Sequence, residues 1–481
     1  METSEVSQPT APVPPSAPAQ QVVDAASQVV ESAPPADVEE KKELRLVEKL
    51  LELNLGLTFI LGSIVILAAL VLVSWRFGTN LLGIAGIKDN LALPPPQNVS
   101  SPKIANANTR PVFINQQIVE LKKSYSAPEH RVTLTVNGQL KRQVFGYLPY
   151  WAVDNLDQIN TQLLTAISYF GLEVDSNGNI VQADAGGPQK AWQVWQSDQR
   201  LDNFLKTARR ERIKVYLTFK AFDNDNIEKL VLSDSASKNF ISNALYQMNA
   251  HSLDGINLDF EYVGTPDQKV IDGFSLLVSN LNKEMKRQYP KAILTVTTYI
   301  NSASTTKLHD VPILAQNCDY LVIMAYDFHT PDSASAGPIA PMEGDGETLV
   351  GMMSSYLDKV PPEKLILAVG YYGYDWPVID NNAEGQVDAS APVKVLTYAD
   401  LADETKKVNV NWDDNSQTPW FSYIDSQTGK TRIVHFENAR SLGIKYDYVN
   451  QKNLAGVGIW ALGFDGQNTD LLQLLADKFA N

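Results

Sequence analysis

In the run Leu253-Asp-Gly-Ile-Asn-Leu-Asp-Phe-Glu-Tyr262, apolar and polar residues alternate strictly, which is the period of a β-strand. Residues two apart share a face, so Asn257, Asp259 and Glu261 project one way and Ile256, Leu258 and Phe260 the other. Desolvating two carboxylates and an amide costs about 2 kcal/mol or more each unless they are paired, so a polar row in a hydrophobic strand points to function before structure. The chemistry on offer is proton transfer. A carboxyl group beside a second carboxylate has its pKa raised, which equips Glu261 to act as a general acid with Asp259 as the neighbouring charge.

Eight β-rich runs could frame this row: Gln143 to Leu148, Ala166 to Phe170, Lys214 to Thr218, Gly255 to Phe260, Ala292 to Thr297, Tyr320 to Ala325, Leu365 to Gly370 and Gly456 to Leu462. Helical stretches alternate with them, among them Asp198 to Glu211, Ser235 to Ala250, Asp267 to Gln288 and Thr348 to Leu357, several opening on a Ser, Thr or Asp cap. Strand then helix, eight times over, predicts an α/β fold, a (β/α)8 barrel, whose strand C-termini carry the catalytic groups. A doubly wound open sheet is the alternative, but no Gly-x-Gly-x-x-Gly follows the first strand. About 85 residues, Tyr371 to Ala455, separate the last two strands, and Val393 to Tyr398 and Trp420 to Phe436 within them carry strand and turn chemistry around Asp425-Ser-Gln-Thr-Gly429. A small α+β insertion is expected there, with bounds 376–453 inside a catalytic domain of 131–481.

The strand with the acidic row resembles the fourth-strand signature Asp-Gly-x-Asp-x-Asp-x-Glu of glycoside hydrolase family 18, the chitinase family. Asp254, Gly255, Asp259 and Glu261 match, and Asn257 departs in the manner of the branch resembling spore-germination and cortex-lytic enzymes, which cleave peptidoglycan. Phe145-Gly-Tyr-Leu-Pro-Tyr-Trp151 looks like the family's first strand, Tyr169-Phe170 its second, Met324-Ala-Tyr-Asp327 its sixth and Ile459-Trp460 its last. The third strand, Leu217-Thr-Phe-Lys-Ala-Phe222, lacks the Ser-x-Gly-Gly of chitinases.

The usual two-carboxylate scheme places its groups on opposite sides of the scissile bond, about 5 to 10 Å apart, whereas Asp259 and Glu261 rise from one face. The resemblance implies the substrate-assisted route instead, in which the sugar's 2-acetamido oxygen attacks the anomeric carbon. Glu261 would then be the acid, Asp259 would orient the acetamido group and stabilise the cation, Tyr326 would bind its oxygen, and Trp460 would floor the pocket. The resemblance also places Tyr147, Trp151, Tyr169, Phe170, Met324, Asp327 and Tyr372 at the substrate, with Asp327 the better candidate for anchoring its own loop. Asn257 stands where chitinases carry a carboxylate, and as an amide it is expected to donate to Asp259 and keep it ionised. Tyr150, Tyr371, Tyr374 and Trp376 are further candidate sugar platforms, about half of such rings being packing.

The formal net charge of −15 speaks against nucleic acid as a partner. Five histidines without ligand spacing give no support to a metal, no cofactor is expected, and the single Cys318 excludes an intramolecular disulfide. Residues 1–40, rich in Pro, Ala and Ser, read as a disordered tail, and 41–54 as a charged juxtamembrane helix. Leu55 to Trp75 holds no charged residue and, at about 1.5 Å per residue, crosses a hydrocarbon core of roughly 30 Å, so one transmembrane helix is expected. Lys41, Lys42, Arg45 and Lys49 precede it and only Arg76 and Lys88 follow closely. That bias predicts a cytoplasmic N-terminus, a linker over 76–130 and a catalytic domain on the outer face. The expected partners are the membrane and an N-acetylglucosamine-containing polysaccharide. The favoured activity is a membrane-anchored β-N-acetylglucosaminidase on peptidoglycan or a related cell-wall glycan. A chitinase or endo-β-N-acetylglucosaminidase on chitin or N-glycans is the alternative, as is a non-catalytic glycan-binding protein, against which the retained Glu261 and Tyr326 speak.

Overall fold

The computed structural model describes residues 139–480 together with Leu134, leaving out positions 185 and 381. Among the described residues no helix is long and apolar enough to cross a membrane, and the span expected at Leu55 to Trp75 lies outside them, as do the tail, the juxtamembrane helix and the linker.

Eight parallel strands close into a barrel: β1 (Gln143–Pro149), β2 (Ala166–Glu173), β3 (Lys214–Ala221), β4 (Gly255–Phe260), β5 (Ile293–Tyr299), β6 (Tyr320–Met324), β7 (Leu365–Gly370) and β8 (Gly456–Trp460). Each pairs with its neighbours in sequence, and β8 closes on β1 through Gln143↔Gly456 to Gly146↔Ile459. The expected runs are all present, but β2, β3 and β5 extend beyond Phe170, Thr218 and Thr297. Those positions end the apolar patterning, whereas the strands continue because the barrel supplies hydrogen-bonding neighbours on both sides. The extensions carry Glu173, Lys220 and Tyr299 toward the mouth.

Alternation sorts the side chains into two cores. Outward residues pack beneath the helices: on β4, Phe260 lies 5.9 Å from Phe240 of helix Asp234–His251 and 5.5 Å from Phe274 of helix Gln268–Gln288, ring centroid to ring centroid. Each such buried ring contributes about 2 to 3 kcal/mol. The helices start where caps allow: Asp198 accepts from the Arg200 and Leu201 amides, Ser233 from Ala236 and Thr348 from Gly351. Inside the barrel lie Phe145, Tyr147, Ala166, Phe170, Tyr216, Val322, Ile366 and Ala368. Gly255 starts the acidic row because a Cβ there would come within 2.4 Å of the Ile293 carbonyl oxygen and 2.8 Å of the Tyr216 ring.

Between β7 and β8 the chain folds a five-stranded antiparallel sheet, in the order Lys394–Thr397, Tyr372–Val378, Thr431–Phe436, Thr418–Ile424, Asn411–Asp413, with helix Tyr398–Glu404. The hairpin Thr418–Ile424/Thr431–Phe436 turns at Asp425, where Gly429 takes φ +68° and donates its amide to the Asp425 carbonyl, a left-handed position that glycine occupies without strain. The sheet's first strand follows β7 after a single residue.

Candidate active site

The polar row of β4 faces the barrel interior. Asn257 pairs in register with Thr218 of β3 and Thr295 of β5, and Asp259 with Lys220. Asn257 is fully buried among hydroxyls: its Nδ2 donates to Thr218 Oγ1 (3.3 Å) and Thr297 Oγ1 (3.1 Å), and its Oδ1 accepts from Thr295 (2.6 Å) and Thr297 (3.3 Å). Ser168 lies 2.7 Å from Thr218, and the Tyr147 hydroxyl 2.8 Å from Thr297. The expectation that Asn257 donates to Asp259 is therefore corrected. Threonines on both flanking strands take up the amide, because they are its lateral neighbours in the register while Asp259 lies one residue pair further along.

Asp259 Oδ1 and Glu261 Oε2 are buried without a hydrogen-bond partner in the protein. Burial pushes Asp259 up to about 7, with the Lys220 ammonium pulling the other way. Asp259 is thus not held ionised by Asn257, and desolvation raises its pKa although no carboxylate stands at position 257. Glu261 is raised well above the ordinary carboxyl range, first by burial and then by the Asp259 charge, while a hydrogen bond from the Tyr299 hydroxyl opposes the rise. A carboxyl so placed keeps its proton near neutral pH.

Around this pair the rings form a box. Trp460, at the end of β8, meets Phe170 edge-on at 4.8 Å, Tyr147 at 5.6 Å and Trp151 at 6.4 Å. Trp151 Nε1 has no hydrogen-bond partner. The Phe170–Gly171 and Trp460–Ala461 peptide bonds are both cis. Tyr326 and Asp327 follow β6. Tyr326 packs 6.1 Å from Tyr372, and burial, Tyr147 and Asp259 raise its hydroxyl pKa in that order, so it is a neutral donor. Asp327, at φ +60°, accepts from the hydroxyls of Tyr372 and Tyr374 (2.8 Å for the latter), which pins the insertion's first strand to the loop after β6. Met324 is buried one step below Tyr326 on the same row.

The structure thus brings Asn257, Asp259, Glu261, Tyr147, Trp151, Phe170, Met324, Tyr326 and Trp460 to one end of the barrel, and it separates Tyr169 from them. Tyr169 has the opposite parity on β2: it packs at a tilt against Trp195, centroids 5.0 Å apart, and donates to the Ala191 carbonyl at 2.8 Å, in the layer between barrel and helices. Of the Tyr169-Phe170 pair, only Phe170 faces the cleft. Tyr372 is fully buried with its hydroxyl on Asp327, so it backs Tyr326 and is not an open platform, and Tyr374 and Trp376 are buried behind it. Lys220, Tyr299 and the threonines were not anticipated. Their signal was available, since Thr295, Thr297 and Tyr299 share one parity, but three hydroxyls on a strand are not distinctive without the register. Among the described residues no group of three His, Cys, Asp or Glu side chains is disposed to hold a metal ion.

A closed parallel barrel with buried carboxyls at its mouth and an aromatic floor defines a glycoside-hydrolase type of site. The chain belongs to the glycosyl hydrolases of family 18, whose family model matches residues 143–465. It is similar to the cortical fragment-lytic enzyme of Bacillus subtilis, 23% identical over 259 residues, 53% of this chain and 57% of that one. It is also similar to the putative sporulation-specific glycosylase YdhD of the same organism, 24% identical over 338 residues, 67% and 73% of the two chains. This chain therefore spans little more than half the length of the first relative. In fold it matches the family 18 chitinase of Cycas revoluta crystallised with allosamidin (TM-score 0.60, 22% identity, 70% of this chain and 99% of that). It likewise matches the Bacillus megaterium spore cortex-lytic enzyme SleL (TM-score 0.57, 18% identity, 74% and 78%).

Proposed function

We propose that this chain is a membrane-anchored hydrolase of β-1,4-linked N-acetylglucosamine bonds in peptidoglycan, working with retention through the substrate's own acetamido group. The observation that carries this reading is the pair of unpartnered oxygens, Asp259 Oδ1 and Glu261 Oε2, on one face of one strand. Nearby Asp327 already holds two tyrosine hydroxyls, so it is poorly placed to serve as a protein nucleophile. Glu261, protonated, gives its proton to the glycosidic oxygen as the C1–O bond breaks. The acetamido carbonyl oxygen attacks C1 and closes an oxazolinium ion, whose N–H is accepted by the Asp259 carboxylate and whose oxygen Tyr326 binds. The Glu261 carboxylate then takes a proton from water as the water oxygen bonds to C1 and the ring reopens. Trp460 supports the sugar on which this occurs.

Peptidoglycan is favoured over chitin by Asn257, by the missing Ser-x-Gly-Gly and by the likeness to enzymes named for cortical fragments and sporulation. Anchoring rests on the uncharged Leu55 to Trp75 segment. Purified peptidoglycan digested with the full chain and reduced with borohydride should yield reduced N-acetylglucosamine ends, because the sugar whose acetamido group attacks must lie on the non-reducing side of the cut bond, and the lactyl ether of muramic acid crowds that pocket. Reduced muramic acid, or cleavage of chitin oligomers alone, would refute the substrate. Protease added to intact cells should remove the barrel, and protection until lysis would refute the topology.

A further inference from the structure

Lys220 stands where the resemblance offers no role. It lies on the inward parity of β3 with Tyr216 and Thr218, in register with Asp259 on one side and with Glu173 of β2 on the other. Its side chain is only 12% exposed, with Nζ 3.7 Å from Glu173 Oε2 and 4.9 Å from the centre of the Phe222 ring. Burial lowers the Lys220 pKa, and three carboxyl groups, Glu173, Asp259 and Glu261, offset part of that desolvation and favour its charged form.

We propose that Lys220 is a positioning residue for the reaction: its ammonium, presented one strand over from Asp259 and steadied by Glu173 and Phe222, supplies the positive charge that keeps the Asp259 carboxylate ready to accept the substrate's amide hydrogen. The proposal rests on the substrate-assisted reading above. Asn257 cannot do this work, since its amide is committed to Thr218 and Thr297. The other polar groups facing Asp259 are Glu261 on its own strand, Tyr147 from β1 and Tyr326 from the loop after β6, all neutral or negative. Tyr299 of β5 binds Glu261 and brings no charge. The strand that lacks the chitinase Ser-x-Gly-Gly thus brings a cation to the carboxyl row.

The test uses the full chain as wild type, Lys220→Met, Lys220→Arg, Asp259→Asn and the Lys220→Met/Asp259→Asn double variant. In unfolding measurements, Lys220→Met should lower stability more at pH 8 than at pH 5, and that pH-dependent part should shrink in the Asp259→Asn background to the share that Glu261 carries, while the lost Glu173 contact is common to both and cancels. On 4-methylumbelliferyl di-N-acetylchitobioside, Lys220→Met should move both limbs of the kcat/KM profile to higher pH by about one unit, because each carboxyl loses an opposite charge, and Lys220→Arg should restore them. An equal loss in both backgrounds at every pH, or a profile lowered without moving, would overturn the proposal and reduce Lys220 to packing. If wild type hydrolyses no N-acetylglucosamine glycan while the pH-dependent coupling persists, the mechanism falls and the link between Lys220 and Asp259 stands. Hydrolysis without that coupling would overturn the role of Lys220 and leave the mechanism standing.

Discussion

Asp259→Asn should make the protein more stable at alkaline pH while abolishing its activity. Burial raises the Asp259 pKa from 3.8 to about 7, with the opposing pull of Lys220 already included. The protonated form is therefore the one the fold accommodates. Its contribution is fully present below the unfolded pKa near 4 and is lost as pH rises through 7. A shift of about three units at 1.36 kcal/mol each gives about 4 kcal/mol at pH 8, spread over a wider pH range than one site would show because Glu261 titrates with it. Asparagine keeps the shape and carries no charge to desolvate. Denaturant unfolding of both proteins from pH 4 to 8 should find them within about 1 kcal/mol at pH 4 and the variant ahead by about 3 to 4 kcal/mol at pH 8, near 5 °C in Tm. Wild-type stability should fall across that interval while the variant's stays flatter, with Glu261 contributing the same trend to both. A variant no more stable than wild type at pH 8 would refute the argument that Asp259 is kept in the site at a cost to the fold.

Glu261→Gln should cut kcat by about 10² to 10⁴ while leaving glycan affinity intact, as measured by turnover and by calorimetric titration with an N-acetylglucosamine oligomer. Asn257→Ala should destabilise the barrel by about 3 kcal/mol in urea unfolding, since it leaves the Thr218, Thr295 and Thr297 hydroxyls short of partners. Asn257→Asp should be tolerated, because threonine hydroxyls can turn to donate, and should move the pH profile through the added carboxyl. Asp327→Ala should cost about 3 kcal/mol and raise KM, as it unpins Tyr372 and Tyr374 and with them the wall behind Tyr326.

The barrel and the parity of its fourth strand were legible in the sequence because both rest on local periodicity. A strict two-residue alternation leaves Asn257, Asp259 and Glu261 no choice but a common face, and eight strand-then-helix repeats admit few closed arrangements. The long interval before β8 announced an insertion for the same reason, through its own turn chemistry at Asp425 to Gly429. What each polar group touches was decided only by the tertiary structure, since lateral register has no trace in a single strand's pattern. Asn257 was free, on sequence alone, to donate along its own strand to Asp259; the neighbouring strands set Thr218 and Thr295 beside it and took the amide. Tyr169 and Phe170 were indistinguishable as adjacent aromatics until closure sent one outward to Trp195 and the other inward to Trp460. Lys220 lies past the Lys214 to Thr218 run that the pattern marks, and the barrel makes it the cation between Glu173 and Asp259, because closing eight strands brings together side chains that no spacing along the chain relates.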